Sequence, residues 1–371
     1  MRCSKLRSFF RSEPVLCVSF FAAAVSCFFV KPDAQYVKYF DLRTLALLYC
    51  LMTAVSGLRR SGIFKVLAYE LCSRAQSLRK LCAALTMLCF LTSMLVTNDV
   101  ALLAFVPFTA SLYGMAGRKK ELVLTTVLET VAANLGSMLT PVGNPQNIYL
   151  FSKYSMSAGE FFSATSPVCA LSAAMLLLLC LFAPGTAVGA KLGAKPEFDR
   201  RKLLLALTLL CLCMLCVFRA IPWWVLLPGL IALLLAFDRK LLLEADFLLL
   251  LTFACFFVFA GNMGRTPAVE SLVRSAIGGR ELLVSAAASQ VISNVPAAVL
   301  LSGFTENGRA LLLGTDIGGL GTPAASLASL ISLRLYAMTD GAESGKYLLV
   351  FSVINFAMLA ALLAFAAAAL V

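Results

Sequence analysis

Polar residues interrupt otherwise apolar stretches at two places in each half of the chain. The first half carries Thr-Asn-Asp at 97–99 and a break rich in Gly and Pro at 134–145. The second half carries Ser-Asn-Val-Pro at 293–296 and a similar break at 316–326. Such residues are costly in hydrocarbon unless the backbone they interrupt lines a cavity or a binding site. A matched pair of interrupted helices therefore indicates the midplane site of a secondary transporter.

The two breaks align without a gap. The aligned pairs are Asn134 with Asp316, Gly136 with Gly318, Thr140 with Thr322, Pro141 with Pro323 and Asn144 with Ser326. A helix that begins after a tip asparagine presents free N–H groups and a positive dipole end, which suit an anion or oxyanion. A helix that ends before the proline presents free carbonyls, which suit a cation. For a single break, the alternative is that Gly and Pro only kink a packed helix. The alignment of two such breaks disfavours this alternative.

These positions define two sets of predicted site residues. For substrate binding we expect Thr97, Asn98, Asp99, Asn144, Ser293, Asn294, Thr322 and Ser326. For the coupling ion we expect Asp99, Asn134, Thr140, Asp316 and Thr322. If the tips and the breaks meet, Asn98, Asn144, Asn294 and Asp316 should lie around one cavity.

Other carboxylates have different expected roles. Charged groups at membrane depth are functional by default, so Glu129 is a candidate proton carrier. Glu244 and Asp246 lie near a helix start beside Arg239 and Lys240, where interfacial or helix-dipole pairing is expected.

Composition excludes an ordinary soluble domain. The 371 residues are 61% hydrophobic and 13% charged, and long apolar runs predict a polytopic α-helical membrane protein. The net charge of +12 does not indicate a nucleic-acid partner, because Lys and Arg cluster in short loops that set membrane orientation. The 13 cysteines occur without histidine, and their tight cluster at 211–216 lies inside an apolar run, so no metal site or disulfide framework is predicted.

The predicted fold is all-α, with two inverted repeats that contain about nine full spans, two re-entrant hairpins and two broken helices. The first half, 1–183, has a span pair, an inner amphipathic linker at 59–80, a hairpin at 81–117, a broken helix at 121–153 and a span at 160–183. A basic cytoplasmic loop follows at 184–202. The second half, 203–371, has a linker at 263–280, a hairpin at 281–303, a broken helix at 308–337 and a last span at 347–370.

The hairpins are inferred from length. As one helix, 81–117 would extend about 54 Å, beyond a hydrocarbon layer of about 30 Å, and two full spans would leave no room for a turn. Segment 281–303 is short enough for one ordinary span, which would invert the membrane orientation of all later segments. The repeat alignment favours a hairpin instead.

The basic N-terminus and the apolar run that follows it have features of a signal peptide. We favour an uncleaved first span at about 14–31, because many more spans follow. The chain is then a multi-pass protein of the plasma (inner) membrane with a cytoplasmic N-terminus.

Four segments around these motifs resemble a known family. TNDVALLAFVPFT, ANLGSMLTPVGNPQN, SQVISNVPAAVL and GTDIGGLGTPAASLASL are similar to the ion transporter superfamily of citrate transporter-like permeases, divalent anion–sodium symporters and arsenical-pump membrane proteins. In the divalent anion symporters the tips read Ser-Asn-Thr and bind substrate carboxylates, while neighbouring broken helices bind sodium. Both tips here keep the asparagine and lack the third-position threonine. The Asn-Asp tip and the Gly-x-Asp-x-Gly before Thr-Pro are closer to the arsenical-pump and small-anion branch.

The residues and the resemblance together predict a secondary active permease, not an enzyme, that moves a small anion or oxyanion by alternating access. The coupling ion is H⁺ or Na⁺, and H⁺ is favoured because Asp99 and Asp316 stand where the sodium-coupled relatives have uncharged residues. Arsenite or antimonite efflux, with a cytoplasmic ATPase as partner, is the alternative within transport. A membrane-embedded enzyme is disfavoured because the sequence has no catalytic dyad or phosphate-binding loop. We expect the substrate and the lipid bilayer as partners, no nucleic acid and no cofactor, and leave a homodimer open.

Overall fold

A computed structural model describes residues 14–187 and 195–370, and in these ranges the protein is all-α, as predicted. The first half contains α1 (Pro14–Phe29), α2 (Leu42–Ser61), α3 (Ile63–Ser73), α4 (Leu78–Ser93), α5 (Asn98–Met115), α6 (Lys119–Ser137), α7 (Pro145–Lys153) and α8 (Ala158–Cys180). The second half contains α9 (Arg200–Val217), α10 (Trp223–Phe237), α11 (Phe247–Gly264), α12 (Pro267–Ile277), α13 (Glu281–Ile292), α14 (Asn294–Leu301), α15 (Gly308–Ile317), α16 (Leu327–Ala337) and α17 (Ser344–Ala369). Short 3₁₀ helices lie at Ala34–Tyr39, Arg239–Leu243 and Pro323–Ala325.

Two of the predictions made from the sequence concern residues outside these ranges. The basic start that is predicted to orient the first span lies in 1–13, and part of the predicted cytoplasmic loop lies in 188–194.

Helix lengths and exposed apolar side chains fit a membrane environment. Within the described ranges, α2, α8, α11 and α17 are each long and apolar enough to cross a membrane alone. Large apolar residues face outward even on shorter helices, as at Phe20 and Phe21 of α1, which are 62% and 71% exposed. Lipid contact explains such exposure, because the bilayer core is itself apolar. The count of about nine full spans stays a prediction.

The two predicted hairpin segments are both interrupted at their polar tips. In the first, α4 ends at Ser93 and α5 begins at Asn98, and both helices pack against α6. In the second, only Ser293 separates α13 from α14. Its φ of +72° and ψ of +155° are rare for a residue with a side chain, and surrounding structure must hold them.

The helix breaks lie between α6 and α7 and between α15 and α16, and glycine allows the same close approach in each. A Cβ on Gly136 would overlap the carbonyl oxygen of Phe90, and one on Gly318 would lie 2.8 Å from the Cα of Ala286. Phe90 and Ala286 occupy equivalent positions, since each precedes its tip asparagine by the same number of residues. Each broken helix therefore packs backbone to backbone on the first arm of its own hairpin segment.

The first linker contains α3, a short helix that follows a sharp turn. Arg59 and Arg60 form the last turn of α2, and the chain then turns at Gly62, whose φ is +82°. On α3 the side chains of Phe64 and Val66 are buried, which anchors the helix on the bundle.

Candidate functional site

Both tips meet at one cavity of about 200 Å³ among the described residues. The polar side chains that line it are Arg59, Thr97, Asn98, Asp99, Gln146, Glu244, Asp246, Asn294 and Ser326, together with Ser56 of α2. Its remaining wall is largely apolar and comes from α2, α5, α7, α11, α14 and α16. Of the predicted substrate residues, the structure thus brings together those of the first tip with Asn294 and Ser326.

At the first tip, Asn98 is fixed by two hydrogen bonds. Its Oδ1 accepts from the backbone N–H of Asp99 at 2.9 Å, and its Nδ2 donates to Oδ1 of Asn134 at 2.9 Å. Asn134 continues this network, because its Oδ1 also accepts from Ser326 at 2.9 Å and its Nδ2 donates to Ser329 at 3.1 Å. Asn134 does not line the cavity but joins the first tip to the break of the other half.

At the second tip, the amide of Asn294 is oriented by its own neighbour. Its Oδ1 accepts from the backbone N–H of Val295 at 3.0 Å, which matches the arrangement at Asn98. Its Nδ2 has no protein acceptor among the described residues and remains available to the cavity. Ser293 does not line the cavity; its hydroxyl contacts the carbonyl oxygen of Ala325 at 3.3 Å.

Two predicted ion ligands, Thr140 and Thr322, connect each break to its hairpin segment, and their role as ion ligands stays a prediction. The hydroxyl of Thr140 donates to the carbonyl of Met94, and that of Thr322 donates to the carbonyl of Gln290 at 3.0 Å. Met94 and Gln290 are again equivalent positions relative to the tip asparagines. Neither threonine lines the cavity.

Side-chain amides donate hydrogen bonds to several of the backbone carbonyls that the sequence predicts to be free. Gln290 donates from Nε2 to the carbonyls of Gly318 and Leu320, each at 2.9 Å, and its Oε1 accepts from the backbone N–H of Thr322 at 2.9 Å. In the first break, Nδ2 of Asn147 lies 3.2 Å from the carbonyl of Thr140. Sequence reasoning gave Gln290 and Asn147 no role, although both lie in the quoted motif segments.

Asp316 and Asn144 do not line the cavity but are buried behind its wall. Gln146, which lines the cavity, donates from Nε2 to Oδ1 of Asp316 at 3.0 Å. Asp316 is 2% exposed, and its Oδ2 has no hydrogen-bond partner in the described structure. The side-chain oxygens of Asn144 and Asn147 are likewise buried and unpaired. The expectation of four residues around one cavity therefore holds for the two tip asparagines, and Asn144 and Asp316 form a separate buried group.

Glu129 also lies away from the cavity. It is fully buried, and its Oε1 accepts from the hydroxyl of Thr109 at 2.5 Å, while Oε2 has no partner in the described structure. Its role as a proton carrier stays a prediction.

Glu244 and Asp246 line the cavity, which sequence reasoning missed. Asp246 caps α11 by accepting from the backbone N–H of Leu249 at 2.9 Å, the helix-dipole role expected for it. Glu244 pairs with Arg60 at 3.1 Å and not with Arg239 or Lys240, its predicted partners. The loop that follows α10 folds back onto α2, and this tertiary contact brings both carboxylates to the cavity.

Comparisons with known proteins agree on a family. The model of a family described as citrate transporter matches residues 11–307. An uncharacterized transporter of Methanocaldococcus jannaschii is 31% identical over 327 residues, covering 88% of this chain and 89% of that protein. The inner membrane protein YbiR of Escherichia coli is 32% identical over 304 residues, covering 80% of each.

Two further similarities are more partial or more distant. The silicon efflux transporter LSI3 of Oryza sativa subsp. japonica is 33% identical over 158 residues, covering 41% of this chain and 31% of that protein. The crystal structure of the YdaH transporter of Alcanivorax borkumensis has the same fold, with a TM-score of 0.54 at 15% identity over 90% of this chain and 86% of that chain. The chain therefore belongs to the citrate transporter family of the ion transporter superfamily and is a multi-pass membrane transporter of that type.

Proposed function

We propose that this transporter is a secondary active permease that moves a small anion or oxyanion by alternating access, coupled to H⁺ or Na⁺. The observation that carries the proposal is the meeting of Asn98 and Asn294, from two interrupted segments far apart in sequence, at one cavity of about 200 Å³. Two such breaks at one central cavity are typical of transporters in which one repeat moves against the other around a shared site.

The cavity supplies donors for an oxyanion. The free Nδ2 of Asn294 and the positive helix ends behind both tips would bind substrate oxygens. Arg59, an exposed residue at the end of α2, adds a positive charge to the cavity.

For the coupling ion we propose H⁺, held at Asp316. The unpaired Oδ2 of this carboxylate can take up a proton or release it, and Gln146 connects the carboxylate to the cavity wall. A buried carboxylate in a membrane protein is a functional candidate because its burial is costly.

A second candidate is efflux of an uncharged oxyacid such as arsenite or antimonite, with a cytoplasmic ATPase as partner. It is favoured by the carboxylates of Asp99 and Asp246 in the cavity, against the single basic residue Arg59 among the described lining residues; the third carboxylate, Glu244, is paired with Arg60. Excess negative charge repels a polyanion and leaves a neutral hydroxylated molecule unaffected. The partial similarity to a silicon efflux transporter also supports it.

Transport into proteoliposomes separates these candidates. Dicarboxylates, inorganic oxyanions and arsenite would be supplied under an imposed H⁺ or Na⁺ gradient, with Asp316→Asn beside the wild type. Gradient-driven oxyanion uptake that is lost in Asp316→Asn supports H⁺-coupled oxyanion transport. Movement of arsenite with no oxyanion uptake supports the second candidate. Uptake that follows a Na⁺ gradient at fixed pH and survives Asp316→Asn would refute the proton assignment.

A further inference from the structure

A second cavity, which the proposed transport cycle leaves without a role, lies between α3 and α5. Its volume is about 670 Å³. Arg59, Arg60 and Lys65 line one part of it, and α5 forms an apolar wall that extends from Leu103 to Met115. We refer to this cavity as the α3–α5 groove. It combines a positively charged part with a long apolar one.

Two of the three basic side chains of the groove have no carboxylate partner in the described ranges. Arg60 is paired with Asp238 at 3.3 Å and with Glu244 at 3.1 Å. Arg59 and Lys65 have no carboxylate within 4 Å among residues 14–187 and 195–370. Two basic side chains are thus available to an anionic group.

The apolar wall has the dimensions of one membrane leaflet. From Leu103 to Met115 the helix rises about 18 Å, close to the roughly 15 Å of half a hydrocarbon core. Leu103 is 38% exposed and Met115 59% exposed, so the wall is accessible from outside the bundle. On α3, Leu67 and Leu71 are each 39% exposed, as on a helix lying at the membrane surface.

We propose that the α3–α5 groove binds an anionic phospholipid, with the headgroup phosphate at Arg59 and Lys65 and one acyl chain along α5. Basic pockets between membrane helices bind such headgroups, and the long apolar wall has no use for a small soluble anion. Arg59 and Leu103 line both the groove and the cavity of the tips. The bound lipid therefore lies beside the substrate cavity and contacts the helix that carries the first tip.

The test measures lipid binding and not transport, so it can be read even if the proposed function is wrong. The purified full-length protein in neutral detergent is titrated with phosphatidylglycerol or phosphatidylcholine, and the thermal unfolding midpoint is followed. We expect phosphatidylglycerol alone to raise the midpoint. In Arg59→Gln/Lys65→Gln its apparent affinity should fall about 25-fold, since each basic residue contributes roughly fivefold. The control Arg74→Gln/Lys240→Gln makes the same charge change outside the groove and should bind as the wild type does.

A second variant tests the acyl wall without a change of charge. Ala104→Trp fills the groove from a partly exposed position on α5 and should also weaken phosphatidylglycerol binding. If the double substitution does not fold, phosphatidylglycerol binding by Ala104→Trp alone tests the proposal. Equal loss of binding in the double variant and its charge control would overturn the proposal in favour of surface charge alone. An equal midpoint shift with glycerol phosphate would overturn it in favour of a free-anion site.

Discussion

Replacing Asn134 by alanine is expected to separate the first tip from the second break. The substitution removes three hydrogen bonds, those with Asn98, Ser326 and Ser329. At about 0.6 kcal/mol for each bond between membrane helices, the free energy of unfolding should fall by roughly 2 kcal/mol. The initial transport rate should fall about tenfold or more, because Asn98 loses the partner that orients its amide.

A matched substitution isolates the effect of this network. Asn355 is fully buried, and its Nδ2 makes only a local bond to the carbonyl of Phe351 at 2.9 Å. Asn355→Ala removes the same atoms and should cost about 0.6 kcal/mol with transport unchanged. Thermal unfolding in detergent and initial uptake rates would be measured for both variants. An Asn134→Ala protein that is no less stable than Asn355→Ala and transports normally would refute the role assigned to Asn134.

Three further predictions concern the tips, the coupling ion and the packing of the breaks. Asn98→Ala and Asn294→Ala should each abolish uptake in proteoliposomes with expression retained, and Asn294→Ala should lower thermal stability less than Asn134→Ala because its side chain bonds only to neighbouring residues in the described structure; normal activity per folded molecule would contradict this. Asp316→Asn should abolish uptake driven by a pH gradient while substrate still binds, and a pH-driven rate equal to wild type would contradict it. Gly136→Ala should lower the unfolding midpoint because its Cβ would overlap the backbone of α4, whereas Gly229→Ala, with nothing within 4 Å of the added carbon, should not.

The sequence alone was enough to predict the class of fold, the family and the positions of the interruptions. Helices in a bilayer must satisfy their own backbone groups, so polar, Gly and Pro residues inside apolar runs are readable as breaks without knowledge of any contact. The tip at Asn98 begins α5, and the tip at Asn294 begins α14. The alignment of the two breaks likewise predicted equivalent positions, as the matching contacts of Gly136 and Gly318 illustrate.

Only the tertiary structure decided which of these residues face the cavity. Residue type marks Thr140 and Thr322 as possible ligands, but their hydroxyls are used by carbonyls of the hairpin segments. Asp316 lies behind Gln146, and Glu244 reaches the cavity from a loop more than a hundred residues away from the first tip. Periodicity and composition indicate only the local environment of a segment. A hydrogen bond between distant segments changes neither of them. The partner of a buried polar group is set by how helices pack, which a single sequence does not specify.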